Sequence, residues 1–212
     1  MASQVTFSNY RTGFLMKHDQ LKELLLQSLQ HERGGIQVYE TALQCVVNDD
    51  LKEEWEKYLE QTRNHERILL RAFQELELDA EETSPGRAIV EQLGQALVQA
   101  MQAALQAGKP EAAQLVACEC VVLAETKDHA DWELITKAAE KSTGKQKTTL
   151  QAAADEVEEQ EDEHLYHSKG WCRELWLQSL GMKGVLPPPE ERKHVTTAIG
   201  AARAEQASEK SR

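Results

Sequence analysis

Four long stretches of the sequence repeat apolar residues every three or four positions, and each stretch breaks this pattern near its middle with polar residues. Such spacing is typical of a helix with one buried face. The stretches span roughly 19–47, 51–78, 110–140 and 149–180. A polar side chain on a buried face is costly unless a bonding partner compensates it. The pattern therefore predicts four helices around a core that contains polar groups.

The connections between these helices predict two hairpins joined by a long crossover. Short turn-type segments, at 48–50 and 142–148, separate the first helix from the second and the third from the fourth. The long connection between the second and third helices contains another amphipathic segment, at 87–107. A long crossover gives a four-helix bundle a topology other than up-down-up-down. We therefore expect an all-α fold, a four-helix bundle with an extra helix in the crossover.

The chain divides into an N-terminal segment (1–18), the bundle (19–184) and a C-terminal tail (185–212). The tail begins with a proline run and has few large apolar residues, so we expect it to be flexible or loosely docked. The N-terminus lacks the basic start and apolar centre of a secretory signal. Four cysteines without CxxC spacing predict buried thiols and a cytoplasmic protein.

Charge and hydropathy exclude two classes of partner at this stage. A formal net charge of -12 argues against nucleic acid, because phosphate binding needs a basic surface. No apolar run approaches the ~18 residues of a membrane span. The sequence therefore predicts neither a nucleic-acid partner nor a membrane partner.

The polar breaks are glutamates and histidines that share the phase of the buried stripes. They are Glu32 in the first stretch, His65 in the second, Glu125 and His129 in the third, and Glu161 and His164 in the fourth. Folding each hairpin about its turn sets Glu32 opposite His65 and Glu125 opposite His164. Several carboxylates at one buried level indicate a bound cation, and this oxygen and nitrogen donor set suits iron or manganese. The alternative for Glu161 and His164 is a surface ion pair.

An internal repeat relates the two hairpins. Residues 60–65 (EQTRNH) align with residues 159–164 (EQEDEH). On the partner helices Glu32 precedes Tyr39 by seven positions, and Glu125 precedes Trp132 by the same interval. Two hairpins built alike predict a pseudo-twofold axis between them, with a two-metal site on that axis.

Across about 19–180 the chain resembles the ferritin-like superfamily. That family carries Glu on the first helix, Glu-x-x-His on the second, Glu on the third and Glu-x-x-His on the fourth. The matching residues here are Glu32, His65, Glu125, Glu161 and His164. The resemblance implies a di-iron or iron/manganese site and redox chemistry with dioxygen or peroxide, of an oxidase, oxygenase or peroxidase type. The alternatives are a non-catalytic stress or metal-buffering scaffold with a degraded site, and iron storage in a cage. A homodimer is the candidate assembly.

Thr62 is the departure from the family pattern, because it stands where the second helix would supply its glutamate. The sequence therefore predicts that one metal is held more weakly, unless Glu60 or Glu66 replaces the missing acid. His65 is then either a ligand or a core histidine bonded to Glu32 or to water. His129 is either a further ligand or an outer partner that orients Glu125.

Two adjacent glycines, Gly34 and Gly35, follow Glu32 in the first helix. Each weakens a helix by about 1 kcal/mol relative to alanine, so their presence calls for a reason. They predict either close packing of another helix or room for a substrate or dioxygen beside the metal.

Overall fold

The computed structural model describes residues 17 to 210, and this part of the chain is helical without strands. The helices are α1 His18–Cys45, α2 Asp49–Glu75, α3 Pro85–Gln106, α4 Pro110–Lys141, α5 Gly144–Ser179, α6 Pro189–Arg192 and α7 Ala198–Lys210. The all-α prediction is confirmed. The N-terminal segment predicted at 1–18 lies outside the described residues except for its last two positions.

Four of the helices pack side by side in a closed ring. Helix α1 contacts α2, α2 contacts α5, α5 contacts α4, and α4 contacts α1. Helix α3 lies outside this ring and packs against α1 and α4. The extra helix expected in the crossover is therefore present, on one face of the bundle.

The direction of each helix explains why the crossover must be long. Short turns make α2 antiparallel to α1 and α5 antiparallel to α4. Bonds of Tyr39 to Glu125 and of Trp132 to Glu32 show that α4 is also antiparallel to α1. Helices α2 and α4 thus run the same way, so the chain must return along the bundle between them. The 22 residues of α3 cover this path, about 33 Å at 1.5 Å per residue.

Local caps fix where the hairpins begin. Asn48 accepts a hydrogen bond from the Leu51 amide and caps α2. The Gln114 side chain of α4 accepts hydrogen bonds from the amides of Val47 and Asn48. Helix α5 begins at Gly144, whereas the sequence predicted a loop to residue 148. Residues 145–148 carry no apolar stripe because most of this turn faces solvent, and so their helix gave no periodic signal.

The apolar core consists of two clusters, one towards each end of the bundle. The cluster near the α1–α2 turn includes Tyr39, Leu51, Trp55 and Trp171. The other includes Leu25, Phe73, Ile135, Leu150 and Val157. Between them lie buried polar side chains from all four ring helices. The core therefore has a polar layer at mid-height.

The cysteines are thiols, and the helices have the moderate hydropathy that the sequence predicted, within the described residues. Cys45, Cys118 and Cys120 are buried and Cys172 is half-buried, and all four are free thiols. Burial raises the pKa of Cys45 to about 11. No helix in the described range is both long and apolar enough for a membrane span.

The segment after residue 184, predicted to be flexible or loosely docked, packs against α5. Gly170 of α5 leaves room for it, because a Cβ there would lie 2.9 Å from Cβ of Pro188. Arg173 donates hydrogen bonds of 2.8 and 3.0 Å to the carboxylate of Glu190. Val195 and Ala204 are buried. The contacts come mainly from small and charged residues, so the spacing of large apolar residues could not predict them.

An Ala204→Asp variant is expected to release this segment, because burying an uncompensated carboxylate costs several kcal/mol. Limited trypsin digestion with mass spectrometry should then show cleavage after Arg192, Lys193 and Arg203 at least about tenfold faster than in the wild type. Ala202→Asp, on the exposed face of the same helix, is the control and should digest like the wild type. Equal rates for all three proteins would show that the segment is free.

Candidate metal centre

Five of the six sequence-predicted site residues meet in the polar layer of the bundle. They are Glu32 from α1, His65 from α2, Glu125 from α4, and Glu161 and His164 from α5. Each is exposed by 3% or less. The layer lies near mid-helix in all four elements, as the stripe phases predicted. Four helices therefore present their polar breaks to one another, away from solvent.

These side chains form two groups that share Glu161. In the first group, Nδ1 of His65 lies 2.9 Å from Oε1 of Glu161 and 3.9 Å from Oε2 of Glu32. In the second, Nδ1 of His164 lies 3.4 Å from Oε2 of Glu125 and 3.6 Å from Oε1 of Glu161. The possible ligand atoms of each group lie within 4.8 Å of one another. Each group could hold one metal ion.

Both histidines are oriented by a glutamine of the opposite hairpin. Nε2 of His65 lies 2.9 Å from Oε1 of Gln160, and Nε2 of His164 lies 2.9 Å from Oε1 of Gln61. An amide oxygen only accepts, so each Nε2 carries the proton and donates it to the glutamine. The unprotonated Nδ1 then faces the carboxylates with its lone pair. This is the tautomer that a metal ligand requires.

Aromatic donors hold the two glutamates of α1 and α4 in a reciprocal way. The Tyr39 hydroxyl of α1 donates to Oε1 of Glu125 at 2.8 Å. The Trp132 indole N–H of α4 donates to Oε1 of Glu32 at 2.8 Å. In both carboxylates the second oxygen, Oε2, is left without a hydrogen bond in the described part of the chain. One oxygen of each acid is therefore fixed, and the other remains available as a ligand.

The predicted pseudo-twofold relation is visible in these contacts. Gln61 and Gln160 occupy matching positions of the internal repeat, and each bonds the histidine of the other hairpin. Tyr39 and Trp132 also match, seven residues after Glu32 and Glu125. The two halves of the site thus exchange their supporting hydrogen bonds across the axis.

Electrostatics in the layer oppose ionisation of several acids. Burial, followed by repulsion from Glu125, holds the pKa of Glu161 well above its ordinary value. Burial, followed by repulsion from Asp128, does the same to the pKa of Glu32. Burial also lowers the pKa of His164, which keeps its imidazole neutral. The layer therefore favours the protonated form of Glu32 and Glu161 over the charged form.

His129, the sixth predicted residue, lies apart from both groups. Its Nε2 lies 2.8 Å from Oδ1 of Asp162, at the edge of the bundle. It orients neither Glu125 nor an ion in the layer. The two proposed substitutes for the missing acid also point elsewhere. Glu66 is bonded to Arg33 at 3.0 Å, and the exposed Glu60 is bonded to Arg63.

The sequence reasoning missed several residues around the site. Asp128 is buried beside Glu161, and Gln61 and Gln160 supply the bonds described above. Tyr58 packs on the ring of His164, with centroids 4.1 Å apart, and its hydroxyl lies 3.0 Å from Nδ1 of the buried His167. Tyr58 is buried on α2 one position before Leu59, and the sequence pattern did not single it out. Gln61 and Gln160 stand at matching positions of the internal repeat, but the repeat does not reveal that each bonds the histidine of the other hairpin.

A cavity of about 270 Å³ lies where α1, α3 and α4 meet, with largely apolar walls. Gly34 and Gly35 form part of the wall, with Leu97 of α3 opposite. The same glycines permit close packing, since a Cβ on Gly94 would lie 3.5 Å from Cα of Gly34. Both roles expected for the glycine pair are thus compatible with the structure.

The chain matches no family model, no curated protein and no solved structure. Its resemblance to the ferritin-like superfamily therefore stays a prediction. The function of the layer has to be inferred from its own geometry and chemistry.

Replacing Glu161 by glutamine is expected to stabilise the metal-free protein at neutral pH, because glutamine is neutral and removes the cost of either protonating the buried carboxyl group or burying its charge. A raised pKa means that the folded state binds more protons than the unfolded chain above pH 4.5, the ordinary glutamate value. The contribution of Glu161 to stability therefore falls as the pH rises from there. Urea unfolding of chelator-treated wild type and variant, over a pH series, measures this difference.

Glu159→Gln is the matched control, since Glu159 lies on the exposed face of the same helix. Its profile should run parallel to that of the wild type. The Glu161→Gln profile should lie above the wild type and diverge from it with increasing pH. Parallel profiles for all three proteins would contradict the repulsion inferred for the layer.

Proposed function

We propose that this protein is a ferritin-like metal-binding protein whose polar layer holds two divalent ions, both iron or iron with manganese. The observation that carries the proposal is a set of unsatisfied ligand atoms. Within the described residues, six buried atoms of the two groups have no hydrogen bond: Glu32 Oε2, His65 Nδ1, Glu125 Oε2, Glu161 Oε1, Glu161 Oε2 and His164 Nδ1. Buried polar atoms are seldom left without partners, so their convergence supports a cation-binding site.

The donor set supports the choice of metal. Carboxylate oxygens and imidazole nitrogens from four helices suit iron and manganese, whereas thiolates would favour softer ions. Glu32 and His65 would hold one ion, Glu125 and His164 the other, and Glu161 belongs to both groups. The fixed tautomers and the bonds from Tyr39 and Trp132 prepare these ligands before an ion enters.

The proposed activity is redox chemistry with dioxygen or peroxide, of an oxidase, oxygenase or peroxidase type. The bound metals would supply the electron transfer. The protein would contribute a site that the two apolar clusters shield from bulk water. Tyr39 would hold one oxygen of Glu125 while the other remains free to bind.

A second candidate function is a metal-buffering scaffold without catalysis. Thr62 favours it, because a neutral residue stands where the family motif has an acid. The two candidates share the metal site and differ only in turnover. A direct comparison of metal binding with turnover therefore separates them.

Protein purified without added metal should bind ferrous iron or manganese anaerobically with a stoichiometry of one to two ions per chain. Binding to the folded state alone should raise its stability by about 2.7 kcal/mol at a metal concentration one hundred times the Kd. Glu125→Gln should weaken binding at least about tenfold. Glu119→Gln, an exposed change on the same helix, should bind like the wild type. Less than a tenth of an equivalent bound to the wild type would refute the metal site.

Turnover distinguishes the enzyme from the buffer. The reconstituted wild type and Glu119→Gln should oxidise ferrous iron or consume peroxide faster than Glu125→Gln at equal protein concentration. Circular dichroism should show that all three proteins are folded. Binding by the wild type without any excess turnover over Glu125→Gln would favour the scaffold.

A further inference from the structure

The polar layer contains one more carboxylate than the two metal-holding groups use. Asp128 of α4 is exposed by only 4%, and its Oδ1 has no hydrogen-bond partner among the described residues. Its charge acts on Glu161, the acid shared by both groups, and on Glu125 and Glu32, so it lies close to the ligand groups. The neighbouring Lys127 is bonded to Asp131 at 2.6 Å. Asp128 is thus a buried acid next to the two ligand groups but outside both of them, without an ion-pair partner among the described residues.

The pseudo-twofold relation shows what this acid replaces. Asp128 follows Glu125 by three positions, and its counterpart three positions after Glu32 is Gly35. Likewise Glu161 precedes His164 by three, and its counterpart before His65 is Thr62. In one half of the site these two positions hold an acidic pair. In the other half they hold a glycine and a threonine.

The small pair also packs as a unit. A Cβ on Gly35 would lie 3.3 Å from Cγ2 of Thr62, which is close contact. The Thr62 hydroxyl donates a hydrogen bond of 2.9 Å to the Tyr58 carbonyl. It therefore contributes no carboxylate to the polar layer. The half that lacks its acid is therefore filled by apolar atoms and a satisfied hydroxyl. The opposite half carries the additional charge.

We propose that Asp128 is the fourth carboxylate ligand of the metal centre and takes the place of the acid that Thr62 lacks. This inference rests on the metal site proposed above. With Glu32, Glu125 and Glu161 it completes four negative charges, which neutralise two divalent cations in a buried layer. The second ion is then held by an acid from α4 instead of one from α2. The carboxylate that the family motif places at position 62 is thus supplied by Asp128, and the site keeps four negative charges.

Anaerobic titration with manganese(II) tests the assignment, with bound ions counted by equilibrium dialysis and electron paramagnetic resonance. The wild type should bind two ions. Asp128→Asn keeps the side-chain shape and should weaken the second ion by about tenfold or more. Asp131→Asn is the matched control, because it neutralises a nearby buried acid that is already paired with Lys127. It should retain both ions.

The double variant Thr62→Glu/Asp128→Asn tests the relocation itself. Returning an acid to the position on α2 should restore the second ion. Tight binding of both ions by Asp128→Asn would overturn the role of Asp128. Weak binding that Thr62→Glu does not repair in the folded double variant would overturn the replacement of Thr62. A wild type that binds no manganese and no iron would instead refute the metal site as a whole.

Discussion

The mutual repulsion of carboxylates inside the bundle is the constraint on which the rest of the structure depends. Glu32, Glu125, Asp128 and Glu161 meet at mid-height of an apolar core, where an isolated charge is strongly disfavoured. Burial raises the pKa values of Glu32, Asp128 and Glu161, so these acids resist ionisation unless a cation compensates their charge. The surrounding features serve this layer: apolar clusters seal it from both ends, and hydrogen bonds from aromatic residues and glutamines set its geometry. A cation would convert the repulsion into binding energy, which is the physical basis of the proposed function.

Much of the site could be predicted from helical phase alone. Glu32, His65, Glu125, Glu161 and His164 each fall on a buried stripe, and two hairpins with short turns bring them to one level. His129 and Asp128 show where phase fails. A stripe advances by three or by four, so Glu125 could be followed by either residue, and the sequence favoured the histidine. The structure turns Asp128 inward and His129 towards Asp162. A difference of one position on a helix rotates a side chain by about 100°, too little for periodicity to resolve on a broad face.

The fold, like the site, could be predicted only in part. Helix existence and the crossover followed from large apolar residues at regular spacing, which dominate the burial energy. The first turn of α5 and the particular contacts of the segment after residue 184 were not predicted because both regions have few such residues. Their positions depend on Gly170, on the pair of Arg173 and Glu190, and on small buried side chains such as Ala204. Contacts of this kind depend on the shape of the surface against which the segment packs, and the local sequence does not reveal that shape.

The exchange of glutamines across the axis has a consequence for how the site can be assembled. The imidazole of His65 is oriented from α5, and that of His164 from α2. Neither hairpin contains both a histidine and the amide that fixes its tautomer. The ligand geometry therefore forms only when the two hairpins dock, and neither hairpin can set it alone. Metal affinity in such an arrangement reports on the quality of the interface between the two halves, and any loosening of that interface would be felt first as a loss of ligand orientation.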